Sequence, residues 1–343
     1  MEIINPASYH GWDEFLLASH QASFFHTSAW ARVLNDSYGY EPIYLTSIKF
    51  NKFDILIPLM EVNSLLTGKR GISLPFTDFC PVMCPDQSLF DHALQKIIRY
   101  GKNAGWKYVE FRSGEKLSKY SPAYKFFYTH QLELCREHDD IFRSFKGNTR
   151  RNIRKAAKSG LTIEFSHKLD AVKSFYKLHC ITRKRHGVPP QPFNFFENIH
   201  KHVISKAKGI VITAKHENRP IAVAIFFYFG RQAIYKYGAS DFKYQALRAN
   251  NLVMWEAIKY FSKRRFITFH FGRTEPENKG LFQFKRGWGT KEKILKYYRY
   301  EIKRNRFLKG SPIDKHGILN AIMKRFPIPV LRAIGALLYP HVG

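Results

Sequence analysis

No apolar run in this chain approaches the roughly 18 residues that a membrane-spanning helix needs, so a chain that does not cross a bilayer is expected. Acidic residues are scarce: 27 Asp and Glu stand against 56 Lys and Arg, a formal charge of +29 over 343 residues. A field of that sign draws in phosphates, nucleic acid or anionic lipid head groups. Cysteine is thin as well. Cys80, Cys84, Cys135 and Cys180 are too few and too scattered for a disulfide framework, and the opening EIINPASYHGW contains no basic, apolar leader. A reducing, cytoplasmic setting is the expectation. CPVMC spaces Cys80 and Cys84 nearly as metal ligands are spaced, yet no second pair or nearby His pair completes four ligands, so no metal site is expected. The 15 histidines form no HExxH, and no Walker-type loop occurs.

What the chain does have is apolar and aromatic material. Apolar residues make up 45% and aromatics 16%, which permits large packed cores and argues against disorder. The length calls for two domains of ordinary size. Two halves repeat one order of elements. PIYLTSIKFNKFDILIPL reads as two strands around an Asn-Lys turn, followed by a helix over residues 87–104 and the strand KYVEF. GIVITAKHENRPIAVAIFFYF reads as two strands around an Asn-Arg-Pro turn. A third strand AIYKYGAS, a helix from about Arg248 to Lys263 and the strand FITFHF complete the second half.

Between the halves lies KGNTRRNIRKAAKSG, residues 146–160, without an acid. Asn148 or Thr149 is the expected cap of a short helix here and Gly160 its end. Arg150, Arg151, Arg154 and Lys155 then form either a solvated basic helix or a face that contacts phosphate or RNA. After Tyr300 the composition shifts, with basic residues early and a short apolar stretch late, Ile328 to Leu338. This segment, 307–343, reads either as an amphipathic membrane-surface contact or as a terminal helix packed on the body.

The order KGNTRRNIRKAAKSGLTIE, TRKRHGVPP, YKYGASDFKYQALRANNLVMWEAI and FHFGRTEPENKGLFQFKRGWGTKE resembles the FemABX-like aminoacyl transferases and their BioF2-like acetyltransferase relatives. The likeness covers most of residues 141–300 and, more faintly, FFHTSAWARVLNDSYGYEPIYL and SLPFTDFCPVMCPD. It implies an α/β fold (α+β) of two tandem GNAT-like domains with mixed sheets: residues 1–140 on the acceptor side, 141–306 on the donor side, then the basic amphipathic tail. The family passes an amino acid from aminoacyl-tRNA, or in relatives an acyl group from another carrier, to an amine on a cell-envelope precursor. The resemblance makes Lys285, in Phe284-Lys285, the catalytic cation. Attack of an amine on an ester or thioester builds an oxyanion that a positioned ammonium stabilises.

Around it, Phe284 and Trp288 are expected to contact the donor, with Arg273, Arg248, Asn251, Arg185 and Arg183 as anchors for phosphate or carboxylate. Asp78 and Asp86 fall where Fem proteins carry part of the acceptor pocket; an aspartate that caps a turn before proline gives the same pattern. Two departures qualify the match. QALRANN lacks the glycines that let backbone amides approach a CoA pyrophosphate, and FTDFCPVM lacks the arginine and glycine of the segment that handles a nucleotide-linked muropeptide. Three readings follow: transfer from aminoacyl-tRNA, acyl-CoA-dependent N-acylation of a sugar or polysaccharide amine, or a non-catalytic nucleic-acid or membrane-binding module. No cofactor beyond the donor is required. Residence in the cytoplasm, in peripheral contact with anionic membrane through the tail, completes the expectation.

Overall fold

A computed structural model describes residues 1–49, 52–113, 115–134, 137–310 and 317–342. The Phe50–Asn51 part of the expected Asn-Lys turn, and Cys135, lie outside the described residues. The chain divides into two compact units: Met1–Phe127 with Ile294–Asp314 and Leu337–Gly343, and Tyr128–Lys293 with Lys315–Ala336. The divisions expected at residues 140 and 306 are therefore displaced. Residues 128–140 go with the second unit and 294–306 with the first.

In the first unit β1 (Glu2–Ile4) and α1 (Trp12–Leu17) precede α2 (Ser28–Tyr38). The strands β2 (Glu41–Pro42), β3 (Tyr44–Lys49), β4 (Lys52–Ile57), β5 (Met60–Val62), β6 (Arg70–Ile72) and β7 (Tyr108–Arg112) follow, with α3 (Gln87–Asn103) between the last two. β1, β3 and β4 form an antiparallel sheet. A second sheet runs β2-β5-β6-β7, and β7 pairs at its far side with a late strand of the chain. α3 buries Phe90, Ala93, Leu94 and Ile97 at the i, i+3, i+4, i+7 spacing that makes one apolar stripe, and this stripe meets Val109 and Phe111 in one core.

The second unit takes most of β8 (Lys125–Glu133), then α4 (His138–Ser144), α5 (Gly147–Ala157), β9 (Thr162–Ser166), α6 (Leu169–His186) and α7 (Phe193–Ile199). β10 (Gly209–His216), β11 (Arg219–Phe229), β12 (Gln232–Ser240), α8 (Ala249–Lys263), β13 (Thr268–Thr274) and α9 (Lys279–Arg286) complete it. The sheet order is β9-β10-β11-β12-β13-β8. β10 opens on an unbroken buried run and β11 carries one from Ile221 to Phe227, as strands covered on both faces do. The β10–β11 turn is Glu217–Asn218, both at positive φ, so Arg219 and Pro220 of the expected Asn-Arg-Pro turn already belong to β11. β14 (Lys291–Glu301) and β15 (Arg306–Phe307) supply the late strands of the first unit.

The repeat read from the sequence has a structural counterpart. β6 and β7 form a parallel pair bridged by α3, and β12 and β13 a parallel pair bridged by α8. The terminal segment is helical, as α10 (Gly317–Met323) and α11 (Ile328–Leu338). α11 packs within the second unit through the buried Leu331 and through Gly335, where an added Cβ would lie 2.0 Å from the Pro190 carbonyl oxygen. No helix among the described residues is long and apolar enough to cross a membrane.

Candidate active site

The site begins where two parallel strands part. β12 and β13 pair only over Gln232–Ile234 and Thr268–His270. Beyond that, β12 takes a bulge at Lys236 and stays with β11, while β13 takes a bulge around Gly272 and stays with β8. Gly272 stands at φ +68, the left-handed geometry that such a bulge demands of one residue. A crevice outside the carboxyl ends of parallel strands is where open α/β sheets bind ligands.

A cavity of about 340 Å³ lies at the end of β12. Ser240 and Asp241, the first turn of α8, α5 and α9 line it. α8 starts at Arg248, held at φ 57, with no side-chain cap and no acid in its first turn. The N–H groups and dipole of this 15-residue helix therefore favour an anion at its mouth. Arg248 strengthens that preference, since its buried Nε has no hydrogen-bond partner. Arg185 reaches the cavity from α6 with its guanidinium 4.8 Å from the Phe242 ring centre, and the buried Asn251 adds an amide.

α5 serves two faces. Thr149, Ile153 and Ala156 are buried, Asn148 and Asn152 line the cavity, and Arg151, Arg154 and Lys155 are exposed while Arg150 is half-buried. Its N-cap is Lys146, whose N–H donates to the Gly287 carbonyl at 2.9 Å, and the helix stops before Gly160. Asn148 and Thr149, the expected caps, thus sit inside the first turn. Thr149 approaches so closely that a Cβ on Gly287 would fall 2.4 Å from its hydroxyl oxygen.

α9 separates the cavity from a buried cation. Gly280, Gln283 and Phe284 face the cavity. Lys285, ~100° further round the helix, is 3% exposed and does not line it. Its Nζ donates to the Arg273 carbonyl at 2.8 Å, just past the β13 bulge. Opposite that bulge on β8 stands His130, fully buried, with its Nδ1 3.4 Å from the Thr290 hydroxyl and its Nε2 without a partner. The same hydroxyl donates to the Lys285 carbonyl at 3.2 Å. Burial first, and the neighbouring Lys285 charge second, push the His130 imidazole down to about 4, so it is neutral at physiological pH.

Residues 143–286 match the family model of an acetyltransferase (GNAT) domain. A lipid II:glycine glycyltransferase of Staphylococcus epidermidis is 22% identical over 256 residues, covering 55% of this chain and 60% of that protein. The same enzyme of Staphylococcus aureus is 22% identical over 303 residues, covering 67% of this chain and 70% of its own. The solved structure of FemX superposes with a TM-score of 0.70 at 15% identity, covering 89% of this chain and 97% of that one. Residues 143–286 thus match a GNAT domain, and the chain is similar in fold to FemX. The structure of L-PGS from Bacillus licheniformis shares the fold more distantly, with a TM-score of 0.57 at 13% identity. The match spans about 60% of the S. epidermidis relative.

The cavity unites four of the residues singled out by sequence: Arg185, Arg248, Asn251 and Phe284. Others have different work. Trp288, expected to contact the donor, is fully buried against Phe145, Phe271 and Phe284, so it supports Phe284 from the core. Arg183 donates from Nε to the Pro189 carbonyl at 3.2 Å and ties down the proline loop. Arg273 contributes its carbonyl to Lys285. In the first unit Asp86 caps α3 by accepting from the Leu89 N–H at 2.7 Å, and the Asp78 carbonyl accepts from the Tyr297 hydroxyl. His130 escaped the sequence reading, because a lone histidine in an alternating strand carries no spacing signal.

Proposed function

We propose that this chain is an acyltransferase of Fem type that moves an aminoacyl group from tRNA onto an amine of a cell-envelope precursor such as a peptidoglycan intermediate. The acceptor amine attacks the ester carbonyl of the donor, the tetrahedral oxyanion forms, and the ribose hydroxyl leaves with a proton. Lys285, buried on the helix whose other face lines the cavity, is the charge that the Fem resemblance assigns to that oxyanion. One ammonium donor on Arg273 fixes its place, and a fixed donor stabilises developing charge without reorganising.

The observation that carries the reading is the cavity at the α8 N-terminus, where Arg185 and Arg248 offer cations and α5 presents further cations on its outer face. Such a surface suits a polyanion that feeds one terminus into a small pocket. The Fem-type relatives supply the acceptor class, since they are glycyltransferases of lipid II. Work at the inner membrane face belongs to the same proposal. Val330 and Leu337 stand exposed on α11, with Lys324 and Arg325 just before it.

A second reading, acyl-CoA-dependent N-acylation, draws on the GNAT domain match across α8. The glycine-free turn Phe242–Leu247 ahead of that helix speaks against it. Incubating the protein with charged tRNA and, separately, with acetyl-CoA, each with an amine-bearing muropeptide, separates the two. Loss of the aminoacyl ester with appearance of a peptide-bonded product is expected. Absence of tRNA binding at low salt, or a rise in melting temperature with acetyl-CoA alone, overturns the tRNA reading.

A further inference from the structure

The first unit holds a second cavity, of about 400 Å³, enclosed by β1, β3 and the C-terminal half of α3. Its floor is apolar: Ile43, Leu45, Leu59, Ile97 and Trp106 are each at most 5% exposed. Its mouth is cationic. Lys96 and Arg99, three residues apart on α3, are both exposed there, with Asn103 a turn further on. The one acid in the lining is Glu2.

The floor is built in advance of any ligand. Trp106 is wedged where Gly71 and Gly101 lack side chains, since a Cβ on either would lie 2.2 or 2.8 Å from the indole ring. Its Nε1 donates to the Glu61 carboxylate at 2.6 Å, and Lys69 balances that carboxylate at 3.3 Å. The indole therefore keeps its hydrogen bond and presents apolar ring surface to the cavity. The volume falls in the range of roughly 300–1,000 Å³ found for small-ligand sites, and neither the Fem-type reading nor the second unit accounts for it.

We infer that this cavity binds one alkyl chain bearing an anionic head, the chain on Leu59, Ile97 and Trp106 and the head on Lys96 and Arg99. Apolar depth selects the chain, and the paired cations one turn apart select a carboxylate or phosphate over a neutral head. A free fatty acid and a lipid phosphate share that chemistry.

The test uses the whole protein and single-chain amphiphiles kept below their micellar concentration. Alkyl carboxylates of 8 to 14 carbons, dodecyl phosphate and dodecanol are titrated by calorimetry, with Trp fluorescence as a second signal. One molecule per chain is expected, tightening by about fourfold per methylene until the cavity is full. Tighter binding of the carboxylate points to a fatty acid, and of the phosphate to a lipid phosphate. Leu59→Trp fills the floor and abolishes binding. Ile3→Trp, at the 43% exposed mouth, does the same without touching the core. Lys96→Glu with Arg99→Glu weakens both anions by about tenfold and leaves dodecanol unchanged. The inference is overturned by unsaturable binding, by titrations that ignore chain length, by dodecanol binding as well as the anions, or by folded Ile3→Trp protein that binds like the parent. Light scattering that shows these substitutions instead abolishing a dimer overturns it in favour of a second copy of the chain.

Discussion

Lys285 was visible in the sequence as part of an unusual residue order, but its surroundings were not. A buried lysine normally needs a partner, and the Arg273 carbonyl, just past the β13 bulge, supplies one. Lys285→Met keeps the apolar stem and removes the charge. It is expected to lower turnover on the donor by about 100-fold to 1,000-fold with a much smaller effect on donor affinity, measured by single-turnover and binding assays side by side. Equal loss in both would mean that Lys285 only binds. Gly289, in the same motif, is a backbone requirement. It stands at φ +65 and a Cβ would lie 2.7 Å from the Ser144 carbonyl oxygen. Gly289→Ala should therefore destabilise by about 1–3 kcal/mol, read as a lower denaturation midpoint.

Among elements, α5 shows how one short helix serves two purposes. The sequence displayed its cations, yet spread them over more than one face, so no periodicity distinguished a solvated helix from a binding one. Packing of Thr149, Ile153 and Ala156 turns Arg151, Arg154 and Lys155 outward and Asn148 and Asn152 toward the cavity. Replacing Arg151 and Lys155 by Glu should weaken binding of a tRNA acceptor stem and make the salt dependence shallower by about two counterions. A shift in affinity with an unchanged salt slope would argue against direct phosphate contact. α11 poses the same two-sided problem. Its Leu331–Gly335 side is packed on the proline loop, while Val330 and Leu337 remain exposed. Leu337→Glu should abolish co-sedimentation with vesicles rich in anionic lipid and leave the melting temperature nearly unchanged. Sedimentation equal to that of the parent would remove α11 from any membrane contact.

For the whole molecule, pH is the informative variable. His26 and His130 are held down to about 4 and His179 to about 3, each chiefly by burial. A histidine that stays neutral in the fold contributes stability that is complete above its unfolded value near 6.5 and is lost as pH falls toward the folded value. Between pH 6.5 and 4 the unfolded chain binds the extra protons, so each such group removes about 1.4 kcal/mol per pH unit. Stability should thus fall by about 4 kcal/mol per pH unit near pH 5 from these three, measured by urea unfolding across pH 7 to 4. His179→Phe, which stacks on Phe175 as the imidazole does, should reduce that slope by about a third. A flat profile would show these rings to be solvated.

The sequence by itself determined the α/β class, the repeated order of elements, the excess of positive charge and the Phe284-Lys285 motif, because hydrophobic period, composition and local residue order survive in one dimension. Even its errors were local: the β10–β11 turn lay one residue earlier than read, and α5 began before its expected caps. Only the tertiary structure decided that residues 128–140 and 294–306 change units, since contacts between residues distant in sequence form only in the folded chain. It alone brought Arg185 of α6 and Arg248 of α8 to one cavity, moved Trp288 into the core, and set His130 beside Lys285. Those neighbours are far apart in sequence, and what joins them is two bulged strands and the close packing that only a folded chain has.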